Sequence, residues 1–266
     1  TGYYVALRAQ YDNDAYGPMS NVVTVSTKAR ATFLVTEVAP VNTAANGGDF
    51  LELVATKAGH AGGLQVLNGL DPMHTFAPFD VQVGDRIVVH ASGLPGPAGF
   101  AQEDASKDKT SSTAANASAG AYDVYAEITD LPIAAGAVSV AEQPPPGGSI
   151  LQTPGLVQDL VLYADRSISG FEDPRFDQHL PFVYLGIIGD GMGYWPHVLE
   201  EAEWTSLSEP CPMWTDMVNA SAADAPACGG AGAGLSDGKS IQRNGTTDTN
   251  AAADFTIAPQ TRGQAN

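Results

Sequence analysis

The chain has 266 residues, of which 44% are hydrophobic and 16% are charged, a composition typical of a folded protein rather than a disordered one. Its 30 acidic residues against 12 Lys and Arg give a formal net charge of -18, which argues against nucleic acid and anionic membrane surfaces as partners because phosphates would be repelled. No apolar run approaches the roughly 18 residues needed to span a bilayer, so no transmembrane segment is expected.

The first 27 residues predict a β-hairpin. Apolar and polar side chains alternate up to Tyr11, as in a half-buried strand, and a second, β-branched strand follows a turn. Asp12, Asn13 and Asp14 lie in that turn with the short oxygen-ligand spacing of a calcium loop, but the flanks are strands rather than the helices of an EF-hand. A polar turn is the favoured interpretation, and a structural calcium ion is the alternative.

A long series of short strands follows. Alternating or β-branched stretches bounded by turn residues predict strands at residues 31–40, 49–56, 64–69, 75–83, 86–92, 122–128, 136–142, 156–165 and 240–243. Residues 254–257 (DFTI) form a closing apolar stretch. Residues 92–120 are polar and small, and predict a long exposed excursion. Because many short strands occur with almost no helical periodicity, we expect an all-β sandwich.

The segment from residue 165 to 235 is rich in Pro, Gly and Trp and predicts little regular structure. It contains both cysteines of the chain, Cys211 and Cys228, which we expect to form a disulfide that removes roughly 3 kcal/mol of unfolded-state entropy. Two free thiols or half of a metal site are the alternatives, although the sequence lacks the CxxC spacing of zinc sites.

Aromatic residues cluster in the same segment. Trp195, Trp204 and Trp214, together with Tyr194, form a candidate binding surface, because aromatic faces in loops suit sugar or protein partners. The alternative is that they form a small core beneath this insertion.

Two short motifs suggest catalysis, and neither is complete. Asp190 in residues 188–193 resembles the metal-binding turn of alkaline phosphatases, but only one histidine, His197, follows it, so a glycine-rich turn is favoured. Residues 234–238 match the G-x-S-x-G nucleophile pattern, yet they precede a strand rather than a helix, which also favours a turn. We therefore expect no catalytic residue and no cofactor.

Other ligand-type side chains are scattered. The histidines show no H-x-H or H-E-x-x-H spacing, so each is expected to be structural or exposed; they are His60, His74, His90, His179 and His197. Several acidic and amide oxygens near the end of the sequence could hold a structural cation or form an ordinary turn; they belong to Asp237, Asp248, Asn250 and Asp254.

The predicted hairpin resembles the last two strands of a fibronectin type III domain. The matching residues are 3–9 (YYVALRA) and 17–23 (GPMSNVV). The resemblance covers residues 1–27 only, and because Thr1 lies inside a strand-like segment we expect a processed or truncated product. A two-stranded hairpin is marginal in water, so we expect this one to pack on the following sheet or to pair by its edge with another chain.

The rest of the chain, residues 32–266, resembles the lamin-tail domain of secreted bacterial proteins, with residues 28–31 as a linker. The matching stretches are 35–40 (VTEVAP), 49–53 (DFLEL), 83–89 (VGDRIVV), 159–164 (DLVLYA), 238–243 (GKSIQR), 254–255 (DF) and 263–266 (GQAN). The resemblance implies an immunoglobulin-like β-sandwich without a characteristic catalytic site. The insertions at 92–120 and 165–235 exceed the family's usual loops.

These observations predict a non-enzymatic, extracellular or cell-surface module for adhesion, assembly or scaffold attachment. Its expected partner is a protein or a cell-surface polysaccharide, with self-association through the hairpin as a further expectation. One alternative is a carbohydrate- or protein-binding accessory domain of a larger secreted hydrolase. The other is a metal-dependent phosphoester hydrolase centred on Asp190.

Overall fold

A computed structural model describes residues 2–12, 15–68, 71–91, 116–126, 131, 135–144, 146, 157–164, 236–246, 248 and 254–266 of the chain. Contacts divide the chain into two compact units, Thr1–Arg30 and Ala31–Asn266. Regular structure in the described residues consists of β-strands and one short 3-10 helix, Ala44–Asn46. The prediction of an all-β fold is confirmed.

The first unit is an antiparallel hairpin made of two strand pairs. Strand β1 (Gly2–Val5) pairs with β4 (Val23–Ser26), and β2 (Arg8–Gln10) pairs with β3 (Tyr16–Met19). The Tyr11 amide donates to the Ala15 carbonyl at 2.8 Å, which closes the turn. The predicted turn is therefore present, although Asn13 and Asp14 lie outside the described residues.

The second unit contains two main sheets. Its described strands are β5 (Thr32–Ala39), β6 (Phe50–Lys57), β7 (Gly59–His60), β8 (Leu64–Asn68), β9 (Asp71–Thr75), β10 (Asp80–Val81), β11 (Arg86–His90), β12 (Tyr122–Tyr125), β13 (Ala135–Glu142), β14 (Val157–Ala164), β15 (Lys239–Arg243) and β16 (Phe255–Pro259). One sheet has six strands in the order β12-β11-β6-β5-β15-β16, and the other has four in the order β14-β13-β8-β9. Strands β7 and β10 form a separate pair.

Strand pairing explains the long connection after β11. Every described pair is antiparallel except β11 with β12, which are parallel neighbours in the six-stranded sheet. A parallel pair cannot be joined by a tight turn and needs a crossover of a dozen or more residues. The stretch between His90 and Tyr122 supplies that crossover.

The core lies between the two main sheets. Alternate side chains of the six-stranded sheet, such as Val35, Leu53 and Val89, join one buried cluster with Val66 and Val140 of the four-stranded sheet. Side chains of a strand point to opposite faces in turn, so each sheet contributes one apolar face. Two sheets that enclose one core make this unit a β-sandwich.

Two predicted segments differ from the structure. The strand expected at residues 75–83 is interrupted, because β9 ends at Thr75 and β10 begins only at Asp80. Between them the Phe76 amide donates to the Leu64 carbonyl, and Pro78 has no N–H with which to continue a strand ladder. The excursion expected to be exposed at 92–120 is instead buried at residues 116–118. Its earlier part, 92–115, lies outside the described residues.

Candidate functional site

A buried polar cluster lies on the face of the six-stranded sheet that points away from the core. Glu37 on β5 and Glu52 on β6 are both fully buried there, and we call this pair the carboxylate cradle. A register shift between Val35 and Glu37 indicates a β-bulge, which turns both Thr36 and Glu37 to this outer face. The bulge thereby brings two carboxylates of neighbouring strands into one region.

Every oxygen of the carboxylate cradle accepts hydrogen bonds. Glu37 Oε1 accepts from Ser240 Oγ at 2.5 Å, and Glu52 Oε1 accepts from Thr36 Oγ1 at 2.7 Å. Arg86 Nη1 also donates to Glu52 Oε1. Burial raises the pKa of Glu52 above its ordinary value, and the nearby Arg86 charge acts in the opposite direction. Gln242 Nε2 donates to Glu37 Oε1 at 3.4 Å, and the other donors belong to residues 261–266.

Residues 261–266 lie across the carboxylate cradle, and we call them the TRGQAN segment. The Thr261 amide donates to Glu37 Oε1 at 2.9 Å, and the Gly263 amide donates to Glu52 Oε2 at 2.7 Å. The Thr261 hydroxyl lies 3.0 Å from Glu37 Oε2. The Gln264 amide donates to the Thr261 carbonyl at 3.2 Å, so the segment turns over the carboxylates. The cradle therefore holds backbone amide groups of one specific segment.

Arg262 anchors the same segment against the second unit's surface. Its guanidinium carbon lies 5.6 Å from the centre of the Phe50 ring, within cation–π range. The side chain also occupies the space next to Gly47, where a Cβ would lie 1.7 Å from Arg262 Nη1. Gly47 has φ +87°, so both its backbone conformation and its lack of a side chain are required.

Replacing Gly47 with alanine should destabilise the chain by about 1 kcal/mol more than replacing Gly84 with alanine, because Arg262 must leave the Phe50 ring. Gly84 is a matched control, since its φ is also +87° but no atom lies within 4 Å of its Cβ position. Urea unfolding of both variants measures the difference. Equal losses of stability would show that Arg262 contributes nothing here.

His90 and Asp123 form a buried pair beside the cradle, on β11 and β12. His90 Nε2 lies 2.8 Å from Asp123 Oδ1, and Asn116 Nδ2 donates to His90 Nδ1 at 3.0 Å. Because Nδ1 accepts, the ring proton resides on Nε2. Burial lowers the pKa of His90, so the ring is neutral at pH 7. With both nitrogens engaged and Ser118 N donating to Asp123, the pair fixes the 116–118 segment.

A second charged cluster lies inside the sandwich, around Arg243 of β15. Its Nη2 donates to Asp159 Oδ2 of β14 at 2.9 Å, and its Nε donates to the Val35 carbonyl at 2.9 Å. Nη1 lies 3.1 Å from Asp248 and 3.8 Å from Asp254. The guanidinium thus links the two sheets and provides the positive charge that these carboxylates face.

Asp237, the other described member of the predicted cation group, lies elsewhere. It accepts hydrogen bonds from Thr43 N at 2.9 Å and from Thr43 Oγ1 at 3.0 Å. The Lys239 amide donates to the Ser236 carbonyl at 2.9 Å, so residues 236–239 form a turn that leads directly into β15. This arrangement confirms that the end of the G-x-S-x-G motif is a turn before a strand rather than a nucleophile elbow.

Several predicted site residues lie outside the described residues. They are the expected disulfide partners Cys211 and Cys228, the aromatic candidates Trp195, Trp204, Trp214 and Tyr194, and the ligand-type residues Asp190, His179, His197 and Asn250. Among the described histidines, His74 and His90 are buried and His60 Nδ1 lies 2.8 Å from Asp80, so these three have the structural or surface positions that were expected.

The sequence did not single out Glu37 and Glu52 as a buried pair. Each occupies a polar position in an alternating strand, a pattern that indicates a solvent-facing side chain. One sequence feature could have indicated that this face is covered. The TRGQAN segment after β16 contains a glycine and small polar residues, so its backbone can lie close to a sheet.

The first unit presents an apolar surface. Of the eleven large apolar side chains that are exposed in the described residues, all except Val83 belong to this hairpin. The register of β1 and β4 places Tyr3 opposite Val25 and Val5 opposite Val23, so these four side chains share one face. We call this face the apolar stripe.

Two features are absent from the described part of the chain. Within those residues, no three or more His, Cys, Asp or Glu side chains are grouped so that they could hold a metal ion. No helix there has the length and apolar character that crossing a membrane requires.

Comparison with known proteins gave one match. A family model with the description "protein second domain" (TP_1001_2nd) matches residues 31–189, which is more than half of the chain. The match begins at Ala31, where the second unit also begins. Neither the curated proteins nor the solved structures yielded a match.

Proposed function

The chain belongs to the TP_1001_2nd family, and from this premise we propose that it is a non-enzymatic, extracellular or cell-surface β-sandwich module for adhesion, assembly or scaffold attachment. The observation that carries the proposal is the apolar hairpin of the first unit. The resemblances to lamin-tail and fibronectin type III domains, which are binding or structural modules, support it. The acidic charge of -18 also suits a protein outside the cell.

The buried ionisable groups support a structural rather than a chemical role. Glu37, Glu52 and Asp123 accept hydrogen bonds from backbone amides, and His90 uses both ring nitrogens within the fold. A general base needs a free lone pair within reach of a substrate proton. These groups instead hold loop segments against the sheet.

The partner we propose for the hairpin is a second copy of this chain. Its ten exposed apolar side chains include four tyrosines. At roughly 150–250 Å² per aromatic side chain, the hairpin presents apolar surface on the order of 1,000 Å². Tyr3, Val5, Val23 and Val25 share one face and Tyr4 lies on the other, so the area of each face is comparable with the roughly 300–600 Å² of the largest patch on a typical monomer.

Charge favours the hairpin as the meeting point of two copies. Residues 1–30 contain three basic and two acidic side chains, whereas the whole chain carries a net charge of -18. Two copies therefore repel each other least where their hairpins approach. The apolar stripe would be covered when two hairpins pack face to face.

Replacing Val5 and Val25 together with lysine should weaken self-association at least tenfold, because two charges would then lie in the apolar stripe. The matched control replaces Thr24 and Ser26 with lysine, which adds the same charge to the opposite face of the same hairpin. Sedimentation equilibrium over a range of concentrations measures the dissociation constant. A chain that stays monomeric at every concentration, or a control that dissociates equally, would contradict the proposal.

A further inference from the structure

We propose that the carboxylate cradle is a peptide-binding groove that accepts the TRGQAN segment of a second copy, and that the chain's own segment fills this groove in an isolated molecule. The observation is that residues 261–266 contact the sheet as a bound peptide would. Their backbone amides reach two fully buried carboxylates contributed by other strands. This site is distinct from the hairpin and belongs to the second unit alone.

The groove contacts three positions of its occupant specifically, namely Thr261, Gly263 and Asn266. Glu37 contacts both the amide and the hydroxyl of Thr261. Position 263 accepts only glycine, because its φ is +78° and a Cβ would lie 2.6 Å from the Ser118 Cβ. Asn266 Nδ2 donates to the Thr36 carbonyl at 2.7 Å. A Thr-x-Gly-x-x-Asn pattern is therefore required.

The groove also favours arginine at position 262, through both its charge and its shape. The Arg262 guanidinium lies over the Phe50 ring and fills the space left by Gly47. It is the single basic side chain of the TRGQAN segment, and it enters a region that contains the buried carboxylates of Glu37 and Asp123. Burial lowers the pKa of Arg262, and the carboxylates of Asp123 and Glu37 act in the opposite direction, so they offset part of the cost of burying the guanidinium.

Each carboxylate of the cradle also has hydrogen-bond donors that do not belong to the TRGQAN segment. Ser240 holds Glu37, and Thr36 and Arg86 hold Glu52, all from strands of the sheet or the bulge beside it. Removing the segment would expose the two carboxylates to water in place of the Thr261 and Gly263 donors. A matching segment would then find both carboxylates already positioned to accept its amide groups.

Within one molecule, the covalently attached segment competes at an effective concentration of order millimolar. A segment from another copy can replace it only when copies are held at a comparable local concentration, as in a surface array. In dilute solution the groove is masked by its own segment. In dilute solution we therefore expect binding in trans only when the attached segment is weakened.

The test uses the full chain with Gly263→Ala, which weakens the attached segment, and a fluorescently labelled TRGQAN peptide. Anisotropy titration should show binding at least tenfold tighter to this variant than to the unsubstituted chain. Gly245→Ala is the matched control, because Gly245 also has a positive φ of +71° but no atom lies within 4 Å of its Cβ position. It should bind the peptide no better than the unsubstituted chain. A TRAQAN peptide should bind at least tenfold more weakly than TRGQAN.

If Gly263→Ala prevents folding, Thr261→Ala in the full chain replaces it, because this change removes the hydroxyl and the γ-methyl group of the side chain and keeps the backbone conformation. Restoration of the fold of the Gly263→Ala chain by the peptide would support the groove. Adding Glu52→Gln should reduce the binding in either variant. Absence of peptide binding by a folded variant, or equal binding by the Gly245→Ala control, would overturn the proposal.

Discussion

Replacing Arg243 with methionine is expected to lower the free energy of unfolding by about 3–5 kcal/mol, because it leaves buried carboxylates without their cation. Asp159 and Asp254 are 4% and 8% exposed, so water does not solvate either carboxylate fully. The change also removes the hydrogen bond to the Val35 carbonyl and the contact with the Phe255 ring at 4.4 Å. Urea unfolding followed by tryptophan fluorescence and circular dichroism measures the loss.

A double-mutant cycle with Asp159→Leu separates the ion pair from packing. The double variant Arg243→Met with Asp159→Leu should be more stable than the sum of the two single losses predicts, because an apolar pair of similar volume avoids an unpaired buried charge. Arg243→Lys keeps the charge but not the forked geometry, and should lie between the native chain and Arg243→Met. A loss below 1 kcal/mol for Arg243→Met would show that the cluster is solvated.

The strands were predictable because they depend on local patterns. In β6, the alternation around Leu51 and Leu53 identifies one apolar face, and the sandwich follows once many such strands are present. The hairpin of residues 1–27 was predictable for the same reason, since both strands and the turn between them lie within one short stretch. Local alternation and turn chemistry determine these elements without knowledge of distant residues.

The candidate site was not predictable, because its contacts connect distant parts of the chain. Arg243 meets Asp159, which lies 84 positions away in the sequence, and Gly263 meets Glu52 across 211 positions. Alternation alone would place Glu52 on a solvent-facing side of its strand, whereas the TRGQAN segment covers that face. Burial of a polar strand position depends on what packs above the sheet, and the strand's own sequence does not contain that information.

The burial of residues 116–118 illustrates the same limit. Their composition is that of an exposed loop, yet Asn116 bonds to His90 and Ser118 N bonds to Asp123. Strand β12 lies parallel to β11, and residues 116–118, which precede β12, pack next to Gly47 and Gly263 beside the cradle. These polar contacts, rather than hydrophobicity, accompany their burial.

The free energy of unfolding should depend on pH through His74. Burial lowers the pKa of this residue to about 4 in the folded chain, and the side chain is 9% exposed with its ring 5.5 Å from that of Phe76. Its Nε2 is buried without a hydrogen-bond partner among the described residues. The folded state therefore favours the neutral ring.

The sign follows from comparing the two states. A histidine whose folded pKa lies below its ordinary value stabilises the fold fully above about pH 6.5, and this stability is lost as the pH falls toward 4, because the unfolded chain gains the proton first. The shift corresponds to about 3 kcal/mol. His74→Gln should remove this component, so the difference in unfolding free energy between the native chain and the variant should shrink by about 3 kcal/mol between pH 7 and pH 4. The two chains have all other ionisable groups in common, so only His74 can make their pH dependences differ. If the two curves of unfolding free energy against pH were parallel, His74 would have the same pKa in the folded and unfolded chains, which would contradict this prediction.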